Sequence, residues 1–262
     1  MNKRLLIALG GLLLASLAQA DDCRQQLPAW IEMAHPGHEA GQALEDELGR
    51  YRVDAGRSIC KVWPARPHLT LVALPLIRAE HNGYGVTDLE VLVLDNHQQR
   101  FVARLVEPDK LDWDAVYVEG MTFDTAPYRL RGDDLAFGVR ISRRNWSRMN
   151  PFSETEITLY ELKEKGLRSL MGALVVESFG GERDDDCTAS FGEAKGVLIV
   201  TGKVGRDGYR DLILKRTHTG RRMVVTDGEC QTLEDDPRRD QFRIEYGDER
   251  YLSPIELVSD PL

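Results

Sequence analysis

Arg143, Arg144, Trp146 and Arg148 crowd one short stretch of the chain. Arginine and tryptophan are enriched at the energetic centres of binding surfaces, the first for its planar five-donor fork and the second for its large, rigid apolar area. The chain carries 34 Lys and Arg against 43 Asp and Glu, a formal net charge of −9. Against that background a cationic aromatic cluster offers a local potential of opposite sign to the rest of the molecule, suited to an acidic partner. The chemistry it points to is recognition rather than bond making.

Three other groups of residues have the types that chemistry needs. Glu182, Asp184, Asp185 and Asp186 stand together just before Cys187, and clustered carboxylates can hold a hard cation or supply the acid of a glycoside hydrolase. Adjacent aspartates diverge unless the backbone turns, so a solvated acidic loop is the simpler reading. His35 and His38 flank Pro36-Gly37 and precede Glu39, but no third ligand has a known position. The segment Lys203 to Leu214 has the outline of a calcium loop. With Gly208 as the turn glycine, only Asp207 and Asp211 fall on ligand positions, while Lys203, Gly205 and Leu214 occupy places that need oxygen. No catalytic residue, metal site or cofactor is expected. The chain has no Gly-x-Ser-x-Gly elbow and no Cys-x-x-Cys pair. Arg131-Gly132-Asp133 and Asn145-Trp146-Ser147 match short recognition patterns that arise often by chance, and both read as loops.

Short β-prone runs must position these residues. They include Leu69 to Val72, Leu89 to Leu94, Phe101 to Leu105, Phe137 to Ile141, Ile157 to Tyr160, Ala173 to Val176, Val197 to Val200 and Leu212 to Leu214. Several alternate with period two, and turn residues separate them at short intervals. Before them, Leu27, Trp30, Ile31, Ala40, Ala43, Leu44 and Leu48 are spaced more like a helix, which predicts a helical cap over about residues 24–50. The expected fold is all-β, a propeller-like arrangement of short antiparallel strands with a β-sandwich as the alternative. No composition shift marks a second domain, so residues 21–262 are expected to form a single β-rich domain.

Lys3 and Arg4, the apolar stretch Leu5 to Leu17 and the small residues of Ala18-Gln19-Ala20 follow the order of a signal peptide, residues 1–20. Cys23 follows Asp21-Asp22, whereas a lipidated cysteine needs a small residue before it, so no membrane anchor is expected. The four cysteines, Cys23, Cys60, Cys187 and Cys230, all lie after the leader, an even number in an exporting context. Of the three possible pairings, Cys23 with Cys60 and Cys187 with Cys230 keeps each bond within a sequence-local block. The acidic balance argues against nucleic acid and anionic membrane surfaces, both of which attract basic patches.

Gly205-Arg206-Asp207-Gly208-Tyr209-Arg210-Asp211-Leu212 resembles the calcium-loop entry of FG-GAP/VCBS-type β-propeller repeats. Cys60-Lys61-Val62-Trp63-Pro64, with Asp88 to Leu94, looks like the start of uncharacterised proteobacterial periplasmic proteins. Some propellers of that compartment are immunity proteins that block cell-wall hydrolases. The resemblance implies a periplasmic binder of a protein or envelope polymer, an inhibitor or immunity protein in its most specific form. An enzyme acting on envelope glycans through the carboxylates at 182–186 is the alternative.

Overall fold

The computed structural model describes residues 11–184 and 187–257. The first ten residues of the expected leader, and Asp185 and Asp186 of the acidic cluster, lie outside them. The chain forms two compact units, residues 1–79 with 87–110 and residues 80–86 with 111–262. Sequence composition marks no such division, because the chain leaves the first unit and returns to it through one uninterrupted hairpin.

The first unit contains α1 (Gly11–Ala34), β1 (Leu44–Asp46), β2 (Gly49–Val53), β3 (Ile59–Val62), β4 (Leu69–His81), β5 (Tyr84–Asp95) and β6 (Arg100–Glu107). Its sheet runs β1-β2-β4-β5-β6, with β3 also pairing β4. On α1, Cys23, Leu27, Trp30 and Ile31 fall on one face at helical spacing, and all follow the Ala20–Asp21 junction. They are buried against Tyr51 and Val53 of β2, Val72, Leu74 and Leu76 of β4, and Leu92 and Leu94 of β5. The predicted cap is therefore only half helical. The helix stops at Ala34, ahead of Pro36-Gly37, and residues 44–53 form a strand pair. Leu44 and Leu48 suit either period, and the β1–β2 hairpin decides between them, with Leu44 opposite Tyr51 and Leu48 in the turn. No helix among the described residues is long and apolar enough to cross a membrane.

The second unit is built from β7 (Val116–Arg131), β8 (Asp134–Asn145), β9 (Phe152–Lys163), β10 (Gly166–Arg183), β11 (Ala189–Val204), β12 (Arg210–Thr226), β13 (Glu229–Glu234), β14 (Arg238–Ile244), β15 (Tyr246–Gly247) and β16 (Arg250–Tyr251). It is an antiparallel meander from β7 to β13 in strict chain order, with β14 also on β12 and the small β15–β16 hairpin joined to β10. The turns are the ones the residues demand. Gly132-Asp133 of the Arg-Gly-Asp string makes the β7–β8 turn, and Asp227-Gly228 makes the β12–β13 turn with both residues at positive φ, as a tight two-residue hairpin requires.

The all-β expectation holds, and every apolar run named above lies within a strand. The strands, however, form two large open sheets rather than a ring of four-stranded blades. Between β7 and β12 the described residues show one isolated backbone bridge, Arg131 to Tyr209, beside which Arg210 Nη1 donates to the Arg129 carbonyl at 3.2 Å. Strands of 12 to 18 residues are longer than the apolar runs that nucleate them. Polar residues continue the alternation past each run, and the bulges between β9 and β10 let so long a sheet bend. The core of the unit gathers Ile157 and Leu159, Leu174 and Val176, and Leu212 and Leu214 under Tyr246 and Tyr251 of the final hairpin.

Gly196 lies where β10, β11 and β12 approach most closely. A Cβ there would stand 2.6 Å from the Val176 carbonyl oxygen and 2.9 Å from Leu214 Cδ1. Gly196→Ala is expected to destabilise the protein by about 1–3 kcal/mol through overpacking. Gly192→Ala, on the same strand with nothing within 4 Å of its Cβ position, is the matched control and should change the urea midpoint far less. Equal midpoints for the two variants would show that β11 moves aside at little cost.

Candidate functional site

Trp146 is 78% exposed, a high value for so large an apolar side chain. It is nevertheless held in place. Tyr117 of β7 and Arg144 of β8 are cross-strand partners, and Trp146 follows Arg144 by two residues and lies on the same side. The Tyr117 and Trp146 rings stack with centroids 4.9 Å apart and planes within 15°. The Arg144 guanidinium sits 5.6 Å from the indole centroid and donates to Glu119 Oε1 at 2.9 Å. That hydrogen bond and the Glu119 charge raise the Arg144 pKa above its ordinary value. Behind the ring, the loop from Trp146 to Pro151 is closed by its own polar groups. Asn145 Nδ2 donates to the Asn150 carbonyl at 2.9 Å, Asn145 Oδ1 accepts from the Phe152 amide at 3.0 Å, and Ser147 Oγ accepts from the Asn150 amide at 2.9 Å. The result is a flat aromatic platform on a rigid base.

Of the three arginines expected around Trp146, the structure keeps Arg144 beside the ring and leaves Arg148 exposed on the loop. Arg143 is elsewhere. Adjacent residues on a strand point to opposite faces, and Arg143 is buried with Nη1 donating to the Asp112 carbonyl at 2.7 Å. The cluster legible in the sequence is thus split by the pleat, while Tyr117, distant in the chain, joins it.

The other candidates are occupied by protein groups or dispersed. Asp211, one of the two carboxylates of the calcium-like loop, is buried and receives the Arg243 guanidinium through Nε at 3.1 Å and through Nη2. The Lys203 ammonium lies 3.7 Å away. Asp207 stands at φ +54 in the short turn Arg206–Gly208. The loop is a strand entry whose inward carboxylate is neutralised by an arginine. Glu182 faces Ser190 at the exposed end of the β10–β11 hairpin, and Asp184 is exposed in its turn. The disulfide Cys187–Cys230, with Cα atoms 5.2 Å apart, ties this turn to β13. Cys23–Cys60, with Cα atoms 6.1 Å apart, ties α1 to β3. Both pairings are those expected from the sequence, and they point to an oxidising compartment. Among the described residues no group of three or more His, Cys, Asp or Glu is placed to hold a metal ion.

His35 and His38 do not share a site. His35 is buried with both ring nitrogens engaged, Nδ1 with the Tyr51 hydroxyl at 2.8 Å and Nε2 with Glu90 Oε2 at 2.6 Å. Tyr51 in turn donates to Asp46 Oδ2 at 2.6 Å, and Arg104 forms an ion pair with Glu90. Burial, followed by the hydrogen bond and charge of Asp46, pushes the Tyr51 phenol well above its ordinary pKa. This chain of polar groups joins the end of α1 to the sheet, with the His35 and Glu90 side chains fully buried at its centre and Asp46 and Arg104 reaching solvent at its ends.

A second network in the other unit was not legible in the sequence. Arg168 Nη2 donates to Glu161 Oε2 at 3.0 Å, to the Tyr209 hydroxyl at 2.6 Å and to the Tyr246 hydroxyl at 3.2 Å. Tyr209 donates to Glu161 Oε2 at 2.8 Å, and its ring stacks on Tyr246 with centroids 3.9 Å apart. Burial and then the Glu161 hydrogen bond raise the Tyr209 pKa. The available signal was Glu161 continuing the apolar run Ile157 to Tyr160, a carboxylate at a strand position whose neighbours are core. Both networks pair their charges with protein groups, and among the described residues Trp146 is the exposed large apolar residue that is also aromatic and stacked. Comparisons of the chain with protein-family models, with curated proteins and with solved structures find no match.

Proposed function

We propose that the protein is an exported binding protein of the periplasm, non-enzymatic, which recognises another protein or an envelope polymer through the surface centred on Trp146. One observation carries the reading: Trp146 is 78% exposed and yet immobilised against Tyr117 and beside Arg144. Burying a large apolar side chain on folding is worth about 1.5–3 kcal/mol, which this residue largely forgoes. A ring held rigid before contact loses little further freedom on binding, so more of its contact energy appears as affinity. The two disulfides support export, since each needs an oxidising compartment to form and persist.

The test is capture from a periplasmic extract on immobilised, oxidised protein, run in parallel with Trp146→Ala. The wild type is expected to retain a partner that the variant releases, with affinity lower by about 2 kcal/mol or more if Trp146 is the centre of the surface. Arg144→Ala should act mainly on the association rate and its salt dependence. Equal retention by wild type and Trp146→Ala would remove this surface from the function.

A further inference from the structure

Trp146 stands at one end of a longer feature. Strand register sets Tyr117, Arg144, Ser153, Phe179, Glu193 and Thr219 opposite one another, one residue from each of β7 to β12. Cross-strand partners share a face, and six strands at about 4.8 Å spacing make a row ~24 Å long. The row has two aromatic stations. The first is the Tyr117–Trp146 platform. The second is Phe179 with Phe191, whose rings are stacked with planes within 9° and centroids 6.0 Å apart.

Two hollows follow the row, of about 120 Å³ and 440 Å³. Phe179 and Glu193 line both, so the two are neighbouring stretches of one trough. The smaller hollow begins at Glu119, the carboxylate that fixes Arg144 beside Trp146, and is also lined by Ser142, Ser153, Thr155 and Ser178, with the Ser142 and Thr155 hydroxyls bonded to each other at 3.1 Å. Its lining also holds Glu154, Glu177 and Arg143, and two of its carboxylates are paired by neighbours. Glu119 is bound by Arg144 at 2.9 Å and Glu193 by Lys195 at 2.7 Å. The trough therefore sets hydroxyls, carboxylates and cations side by side, with carboxylates in excess.

We infer that this trough binds a neutral linear glycan laid across the strands, with sugar rings on the two aromatic stations and sugar hydroxyls on the polar stretch between them. The inference rests on the reading of Trp146 as a binding residue and names the class of its ligand. A pyranose ring presents a flat face of C–H groups that matches an exposed aromatic face, and a rim of hydroxyls that needs mixed donors and acceptors. The strands carrying Tyr117 and Phe179 are three spacings apart, ~14 Å, about the span of three sugar rings in an extended chain. A peptide added as a strand would run along a sheet edge and not across six strands. A polyanion would be repelled by the carboxylates that line the trough, Glu154, Glu177, Glu234 and Asp235 among them.

The probe is the neutral hexamer of β-linked N-acetylglucosamine, titrated calorimetrically into the oxidised protein alongside its trimer and a hexagalacturonate. The hexamer should bind more tightly than the trimer, the hexagalacturonate should not bind, and salt should leave the hexamer affinity nearly unchanged. Trp146→Ala and Phe179→Leu should each weaken hexamer binding about tenfold or more, the size of a hot-spot loss. Phe179→Leu keeps the apolar volume of a half-buried position while removing the flat face, and an unchanged urea midpoint confirms that it folds. Absence of hexamer binding at millimolar concentration, or equal affinity in both variants, would overturn the inference. Tighter, salt-sensitive binding of the hexagalacturonate would overturn it as well. If the hexamer fails while Trp146→Ala still releases a captured protein, the glycan is wrong and the binding surface stands; if both fail, both fall.

Discussion

His35→Ala is expected to destabilise the protein by about 3 kcal/mol, because a buried carboxylate oxygen loses its hydrogen-bond partner and keeps the cost of its desolvation. The imidazole fills the space between Tyr51 and Glu90, and its Nε2 lies 2.6 Å from Glu90 Oε2. Without it, one oxygen of a fully buried carboxylate faces a cavity. Arg104 reaches the other oxygen from a side chain that is 41% exposed. His35→Gln, which can restore part of the hydrogen bonding, should recover part of the loss. Urea unfolding of the three proteins decides the matter. A change below about 1 kcal/mol in His35→Ala would show that Arg104 alone compensates Glu90, since an unsatisfied buried polar group costs at least that much.

Replacing Cys23 and Cys60 together by serine is expected to cost about 4 kcal/mol, the closure entropy of the loop in the chain-entropy model. The two cysteines are separated by 37 residues. The bond anchors the helix to β3, while Leu27, Trp30 and Ile31 stay packed on the sheet by apolar contact. The double variant should therefore fold, with the helical signal melting below the midpoint of the wild type. The same treatment of Cys187 and Cys230, 43 residues apart, should lower stability by a similar amount and loosen the β10–β11 turn instead. An unaltered midpoint in the Cys23, Cys60 variant would show that the bond adds nothing to the packed helix.

Local periodicity carried much of the architecture. The alternation in Phe137 to Ile141 names a strand because a period of two survives whatever the strand pairs with, and the short apolar run Leu89 to Leu94 reads as a strand buried on both faces. The spacing of Leu27, Trp30 and Ile31 names a helix in the same way, and sequence-local pairing of the four cysteines matches the bonds observed. Trp146 was legible as a candidate because its type and its arginine neighbours are visible in one dimension.

The remaining features depend on pairing between distant segments. Leu44 and Leu48 fit helix or strand equally, and only the pairing of β1 with β2, itself held on β4, makes Leu44 a strand residue and Leu48 part of a turn. Arg143 and Arg144 look equivalent until the pleat sends one into the protein and the other onto its surface. Asp211 resembles a calcium ligand until β14 brings Arg243 onto it. The row from Tyr117 to Thr219 joins six residues from six strands, and its alignment follows from hairpin register and from the bulges at Val118 to Gly120 and Val175 to Glu177. A shift of one residue in any strand would turn its member of the row to the opposite face. The sequence thus determined which segments are strands and which side chains were suited to recognition. Tertiary structure decided which of them share a surface, because register is fixed by contacts between residues far apart in the chain.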